Sequence, residues 1–136
     1  MPLIRIDVIE GRSRDELKTL CDEIHSAMVE AFGVPFRDRY QLIHQHAYDE
    51  MYIEDTGLGY TRSLNVVVIS VVSRPRTREA KERFYRLLSD RLRANCGVAA
   101  EDTVISITIN QNEDWSFGLG RAQFLTGELA SGHSDR

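Results

Sequence analysis

The segment NVVVISVVSRPRTR, residues 65–78, sets the architecture of this chain of 136 residues. Its first part, 65–73, is a nearly unbroken run of β-branched residues, which is typical of a strand covered on both faces. Arg-Pro-Arg ends the run, and Thr77 can then cap a helix that ends before Gly97. The helix is indicated by an apolar stripe, which consists of Ala80, Phe84, Leu87, Leu88 and Leu92. A further strand at 103–109 completes a β-α-β unit.

The amino-terminal half has the same order. Residues 2–14, PLIRIDVIEGRSR, align without gaps with residues 66–78, an offset of 64. Residues 2–9 alternate as a half-buried strand does, and Ser13 with Glu16 forms a capping box for a helix over about 14–32. A second strand is predicted at 39–46. The chain is therefore an internal repeat of one β-α-β unit.

We predict a single α/β domain over 1–129, with repeat halves at about 2–60 and 64–124 and a disordered tail at 130–136. The crossover helices imply parallel pairing within each unit and a two-layer sandwich, a four-stranded mixed sheet with two helices on one face. Strand 65–73 is apolar on both faces, so another subunit is expected to cover the open face, with 114–129 reaching across the interface.

Composition and charge exclude several classes of protein. The chain has 17 Lys and Arg against 21 Asp and Glu, a formal net charge of -4, which provides no general basis for binding nucleic acid or an anionic membrane. No segment approaches the apolar length of a membrane span, and the first thirty residues lack the apolar core of a signal peptide. We therefore expect a cytoplasmic protein without nucleic-acid or membrane partners.

The cysteines and histidines do not form a recognisable metal or redox motif. Cys21 and Cys96 lack CxxC spacing, which favours reduced structural thiols. His44 and His46 share one face of a predicted strand but lack a third ligand at suitable spacing, and His25 lies near the apolar stripe of a helix. We interpret all three histidines as structural or surface residues.

Two positions differ between the halves in a way that indicates a functional site. Pro2 aligns with Val66, and Arg74 aligns with Glu10. Architecture alone is expected to be copied in both halves, whereas a single site needs its residues once. Pro2 also fits the first residue of a strand, where the missing N–H costs least. After removal of the initiator Met1, however, Pro2 would be a reactive secondary amine.

Two further candidates are copied. Asp38 has its counterpart in Asp102, and Arg76 has its counterpart in Arg12. The repeat therefore explains these two residues by architecture as well as by function.

Several segments together resemble the tautomerase superfamily and, within it, the malonate semialdehyde decarboxylase group. These segments are PLIRIDVIEGR at the amino terminus, AFGVPFRDRYQ (31–41), EDTGLG (54–59), VVSRPRT (71–77) and DWSFGLGRAQFLTGEL (114–129). The resemblance implies catalytic roles for Pro2, Asp38, Arg74 and Arg76, with the two arginines binding substrate. It also implies a homotrimer of the tautomerase/MIF type, with no metal or organic cofactor.

The resemblance also implies the reaction, decarboxylation of a small 3-oxo acid of the malonate semialdehyde type by a carboxy-lyase, and these residues suit it. Arg74 and Arg76 would hold the carboxylate, and Asp38 would orient substrate or a water, which permits a promiscuous hydratase activity. Pro2 would either donate a proton to the carbonyl oxygen or attack the carbonyl as a neutral amine to form an iminium ion. Two alternatives stay open: a keto-enol tautomerase of a 2-oxo acid with Pro2 as general base, and a non-catalytic trimeric binding protein.

Overall fold

Four strands and two long helices form two consecutive β-α-β units in a computed structural model that describes residues 2–129. The strands are β1 (Leu3–Ile9), β2 (Tyr40–His46), β3 (Val67–Ser73) and β4 (Thr103–Ile109). The helices are α1 (Arg14–Phe32), α2 (Arg78–Cys96) and the short α3 (Gln123–Thr126). The predicted α/β sandwich with a tandem repeat is confirmed. The predicted disorder of 130–136 lies outside the described residues.

The two long helices begin and end with the same local chemistry. The Ser13 hydroxyl accepts from the Glu16 backbone N–H at 3.1 Å, and the Glu16 carboxylate accepts from the Ser13 N–H at 2.9 Å. Thr77 caps α2 in the same position. Gly33 and Gly97 end the two helices at φ values of 64° and 65°, where a residue with a Cβ atom is strained. Because the N-cap residue and the terminating glycine are equally far apart in both units, the two helices have equal lengths.

The sheet has the strand order β2-β1-β3-β4. Pairing is parallel within each unit, as predicted, and antiparallel between the central strands β1 and β3. This arrangement brings the amino-terminal ends of β1 and β2 to the same edge as the carboxyl ends of β3 and β4. We call this set of strand ends the Pro2 edge and the opposite set the Val66 edge. Neither name refers to the outer strands β2 and β4.

Helices α1 and α2 cover one face of the sheet and bury the core. Alternate residues of the two central strands point into it because successive side chains of a strand face opposite ways. These residues are Ile4, Ile6 and Val8 of β1 with Val67, Ile69 and Val71 of β3. The Phe32 and Phe84 rings pack between the helices and the sheet with centroids 5.4 Å apart. Burial of this apolar surface is the main stabilising contribution.

The other face of the sheet is not covered by the helices. Leu42 is half exposed there, and two polar pairs cross the strands. Arg5 donates to His44 Nε2 at 3.3 Å, and His46 Nε2 lies 2.7 Å from Asp7 Oδ1. These contacts agree with the prediction that His44 and His46 are structural or surface residues. Within 2–129, none of the helices combines the length and the apolar character that crossing a membrane requires.

Candidate active site

The strand register places Pro2 in the middle of the Pro2 edge. Leu3, the next residue, pairs with Val72 of β3 on one side and with Tyr40 of β2 on the other. Pro2 is buried and precedes the first residue of β1. It therefore lies between the end of β3 and the start of β2.

The same register brings the other three predicted residues to this edge. Arg74 directly follows β3, Arg76 lies two residues further on, and Asp38 lies two residues before β2 begins at Tyr40. All three side chains are buried despite their charge, with exposures of 5%, 7% and 5% for Arg74, Arg76 and Asp38. Ionised groups are seldom buried to this extent unless they are paired. The edge therefore concentrates buried charge.

Arg74 is held by an aromatic ring and an amide. Its guanidinium carbon lies 3.9 Å from the centre of the Phe124 ring, and its Nη1 donates to Asn112 Oδ1 at 3.0 Å. A cation over a ring face is attracted by the ring quadrupole, and a hydrogen bond fixes the rotation of the guanidinium plane. Both contacts come from residues beyond β4 and help to fix the orientation of Arg74.

Arg76 points towards the carboxyl end of α1. Its guanidinium carbon lies 5.0 Å from the centre of the Phe32 ring, and its Nη1 donates to the Phe32 carbonyl at 3.5 Å. Its Nε donates to Ser73 Oγ at 3.0 Å, and that hydroxyl in turn donates to the Arg74 carbonyl at 2.8 Å. The negative end of the α1 dipole favours a cation here, and α1 has no basic residue in its own last turn.

Asp38 stands on a short turn that is anchored to α1. The Asp38 N–H donates to the Pro35 carbonyl at 2.9 Å. His25, which is buried in α1, donates from Nε2 to the Phe36 carbonyl at 2.7 Å, and its ring meets the Phe36 ring edge-on. His25 therefore has the structural role predicted for it, and it holds the turn that carries Asp38.

An aromatic cluster from residues 115–124 covers this edge. Phe117 stacks on Tyr40 at 5.7 Å and on Trp115 at 5.3 Å, and it meets Phe124 edge-on at 5.6 Å. The tail thus packs on its own chain, and its expected contact with a second subunit stays a prediction. Beside the cluster is a cleft of about 590 Å³, lined by Arg74, Pro75, Gln111, Asn112, Glu113 and Leu125.

The buried cations of this edge lie beside a helix terminus. Two buried guanidinium groups lie next to the first turn of α2, whose positive dipole end adds to their field. Among residues 2–129, no group of three or more His, Cys, Asp or Glu side chains is placed to hold a metal ion. Arginine side chains in this setting suit a small carboxylate.

The Val66 edge contains the copies of the site residues in a different chemical setting. Asp102, the counterpart of Asp38, accepts hydrogen bonds from both the backbone N–H and the hydroxyl of Ser63. Arg12, the counterpart of Arg76, is half-buried and donates to the Asn65 carbonyl at 2.8 Å. Burial is the main cause that lowers the pKa of Arg12 below its ordinary value.

Sequence reasoning did not identify four residues of the Pro2 edge: Ser73, Asn112, Phe117 and Phe124. Ser73 had a usable signal, because a hydroxyl follows three apolar residues on the buried face of β3. Asn112 had one too, since the residue 64 positions earlier is the dissimilar Tyr48. The two phenylalanines lie in a segment without helical or strand periodicity.

Comparison with known proteins gives consistent results. The sequence model of a family described as "Tautomerase enzyme" matches residues 2–60, and another family with the same description matches residues 38–118. The chain is 57% identical to "Probable tautomerase YrdN" of Bacillus subtilis (strain 168), covering 95% of this chain and 100% of that protein.

Two crystal structures of malonate semialdehyde decarboxylases are similar throughout. One, described as a basis for decarboxylase and hydratase activities, is 50% identical with a TM-score of 0.91 and covers 93% of this chain and 98% of the other. The second, inhibited by 3-bromopropiolate, is 44% identical with a TM-score of 0.90 and covers 94% and 98%. A fused 4-OT described as a symmetric trimer shares the fold at 17% identity and a TM-score of 0.75, covering 92% and 98%.

Proposed function

This chain belongs to the tautomerase superfamily, and from that premise we propose that it is a carboxy-lyase that decarboxylates a small 3-oxo acid of the malonate semialdehyde type. The observation that carries the proposal is the burial of Arg74 and Arg76 at the edge where the register places Pro2. The 50% identity to a malonate semialdehyde decarboxylase supports the same reaction.

Substrate binding falls to the two arginines. A guanidinium offers parallel N–H donors that match the geometry of a carboxylate, and burial strengthens that interaction. The α2 amino terminus adds positive potential at the same place. In the proposed pose the substrate carboxylate lies against Arg74 and Arg76 and its carbonyl faces Pro2.

Bond cleavage needs a site for the electron pair that the departing CO2 leaves behind. When the carbon–carboxyl bond breaks, that pair becomes an enolate, or an enamine if Pro2 has formed an iminium ion with the carbonyl. In the first route the Pro2 ammonium stabilises the developing oxyanion by donating to it. In the second route the positively charged nitrogen accepts the pair, the resulting enamine is protonated at carbon, and water then hydrolyses the iminium ion to release the aldehyde and restore the amine. In the first route the enolate is protonated at carbon.

The aromatic cluster of Trp115, Phe117 and Phe124 lies beside Arg74 and offers an apolar contact to the departing neutral CO2. Asp38 orients the substrate or a water molecule. Addition of that water to an activated unsaturated acid is the hydratase activity we propose as a side reaction.

The proposed assembly is a homotrimer. The sheet face opposite the helices exposes Leu42 and Tyr40, and exposed apolar faces of this kind mark subunit interfaces. The fused 4-OT that shares the fold is described as a trimer, which supports the same stoichiometry.

The test is the release of CO2 from malonate semialdehyde by wild-type protein, by Pro2→Ala and by the matched variant Val66→Ala. We expect turnover by wild type and by Val66→Ala, and a loss of at least about 100-fold in Pro2→Ala. A substrate adduct reduced onto Pro2 by cyanoborohydride shows that an iminium ion can form there, whereas a free but unlabelled Pro2 favours the proton-donor route. Absence of CO2 release by the wild type contradicts the proposal.

Keto-enol tautomerisation of a 2-oxo acid is the second candidate, because the 57% identical relative carries the description of a probable tautomerase. In that reaction neutral Pro2 would move a proton between oxygen and carbon as a general base. Decay of the enol absorbance of a 2-oxo acid without CO2 release would favour this candidate over decarboxylation.

A further inference from the structure

The contact between Asn112 and Arg74 has a specific chemical character. Asn112 Oδ1 accepts from Arg74 Nη1 at 3.0 Å, and both residues line the cleft of about 590 Å³ at the Pro2 edge. A neutral amide acceptor fixes the guanidinium without cancelling its charge. A carboxylate in the same place would form an ion pair with Arg74 and compete with an anionic substrate.

The backbone that carries Asn112 is firmly held. It begins a one-turn 3₁₀ helix, Asn112–Asp114, that directly follows β4. The Gln111 N–H donates to Asp114 Oδ2 at 2.8 Å, and the Asn110 N–H donates to the Ser73 carbonyl at 2.8 Å. The amide is therefore placed on a turn tied to the end of β3, directly before Arg74.

The two repeat halves share this turn but differ in the side chain at its first position. The first half has the same one-turn helix at Tyr48–Glu50, where the Ala47 N–H donates to Glu50 Oε1 at 3.2 Å. Tyr48 stands at the position of Asn112, and Glu10 stands at the position of Arg74. The turn is copied, whereas both members of the contact differ together. The pairing of amide and guanidinium therefore belongs to the site rather than to the architecture.

We propose that Asn112 is a positioning residue that orients Arg74 to receive the substrate carboxylate, an inference that rests on the proposed anion site at the Pro2 edge. Its effect falls on substrate binding, because it acts on the group that holds the carboxylate and not on the bond that breaks. Loss of the acceptor lets the guanidinium rotate, and a negative charge in its place occupies Arg74.

The test measures binding separately from turnover. Malonate is close to the substrate in size and has the same carboxylate, with a second carboxylate in place of the aldehyde. The only tryptophan, Trp115, reports binding by fluorescence, since its ring stacks on Phe117 within the cluster that reaches Arg74. Titration gives a malonate Kd for wild type, Asn112→Leu, Asn112→Asp and Asn112→Gln, with calorimetry as a second readout. Tyr48→Leu, at the corresponding place in the other turn, is the matched control.

We expect the malonate Kd to rise about 10-fold in Asn112→Leu and further in Asn112→Asp, because a hydrogen bond to a charged group is lost or replaced by a competing ion pair. Asn112→Gln, which keeps the neutral acceptor, should recover part of the affinity, and Tyr48→Leu should not change it. Where turnover is measured, KM should rise more than kcat falls. Wild-type Kd in both the Leu and Asp variants, or a fall in kcat at constant KM, would overturn the inference.

These outcomes separate the inference from the proposed reaction. If the wild type binds malonate but releases no CO2 from malonate semialdehyde, the decarboxylase proposal fails and the Kd series still tests the role of Asn112. If the wild type decarboxylates and the Kd values of the variants equal its own, only the role of Asn112 is wrong.

Discussion

The Pro2 edge and the Val66 edge of the sheet are built from copies of the same elements, yet they differ in charge and in how that charge is fixed. Helices α1 and α2 both have 19 residues and end at glycines with nearly equal dihedral angles. At the Pro2 edge, two buried arginines are held by side chains. At the Val66 edge, Glu10 is exposed where Arg74 is buried, and the copied acid, Asp102, accepts from Ser63 in the segment before β3.

This difference separates the residues that the duplicated architecture explains from those that need a functional explanation. Both edges have an acid that precedes the second strand of a unit, Asp38 or Asp102. Both also have an arginine that follows the first strand of a unit, Arg76 or Arg12. Pro2 and Arg74 occur at one edge only, together with their contacts Ser73 and Asn112. These non-repeated residues lie around the buried Arg74, as expected if the chain has a single active site at this edge.

The largest expected difference in activity between variants of the two edges is at Arg74. Arg74→Gln should lower kcat/KM for malonate semialdehyde by about 100- to 1,000-fold, because the preorganised charge for the carboxylate is lost. Glu10→Gln, its matched variant at the other edge, should stay within about twofold of wild type, as exposed substitutions usually do. Steady-state CO2 release measures both. Equal losses in the two variants would show that the edges do not differ in function.

The paired aspartates give a smaller and more informative contrast. Asp38→Asn should lower kcat by about 100-fold through loss of the group that orients substrate or water. Asp102→Asn should leave kcat near wild type but lower the free energy of unfolding by about 1–3 kcal/mol, since one of its two Ser63 donors loses its acceptor.

Urea unfolding and CO2 release on the same samples measure this contrast between the aspartates. A loss of activity in folded Asp102→Asn that equals the loss in Asp38→Asn would contradict the division between a functional and an architectural acid.

Most of the fold could be predicted from local signals. The capping box of Ser13, the glycine stops and the alternation in β1 and β3 gave the two units, because each signal depends on residues close in sequence. The strand order could not be predicted, since it depends on which strands of the two units meet, and the sequence showed only pairing within a unit.

The site was predicted in part for the same reason. The offset of 64 residues marked Pro2 and Arg74, and the resemblance to a known superfamily added Asp38 and Arg76. Phe124 and Asn112 were missed because they reach Arg74 across 50 and 38 residues of chain, and helical or strand periodicity does not reveal such contacts. The repeat offset did mark Asn112 as different from Tyr48, but it did not show that Asn112 contacts Arg74. The short 3₁₀ turns and α3, which carry or adjoin these contacts, were also not predicted.

The smallest predicted effect concerns Cys96, near Arg12 at the Val66 edge. Burial raises the pKa of the Cys96 thiol to about 11, so the thiolate that reacts with iodoacetamide is scarce at pH 8. Alkylation should therefore be slow at pH 8 and accelerate towards pH 11, and it should leave CO2 release unchanged. Peptide mass spectrometry over pH measures the rate. Rapid labelling at pH 8 would contradict the raised pKa of Cys96, and labelling that abolishes turnover would contradict its position outside the active site.

The same thiol links pH to stability. The pKa of the Cys96 thiol is higher in the folded state than in the unfolded state. The contribution of this thiol to the free energy of unfolding is therefore complete below about pH 9, the ordinary pKa of a thiol, and decreases as pH rises towards 11. The free energy of unfolding should fall more steeply over this interval in the wild type than in Cys96→Ala.

The most direct test of the account is the dependence of activity on a free Pro2 nitrogen. Protein produced with Met1 retained has the same proline ring, but its nitrogen is an amide and can neither donate a proton nor attack a carbonyl. Treatment with methionine aminopeptidase should lower the intact mass by one methionine residue, and release of CO2 from malonate semialdehyde should appear in proportion. Equal activity before and after trimming would contradict the central role of Pro2.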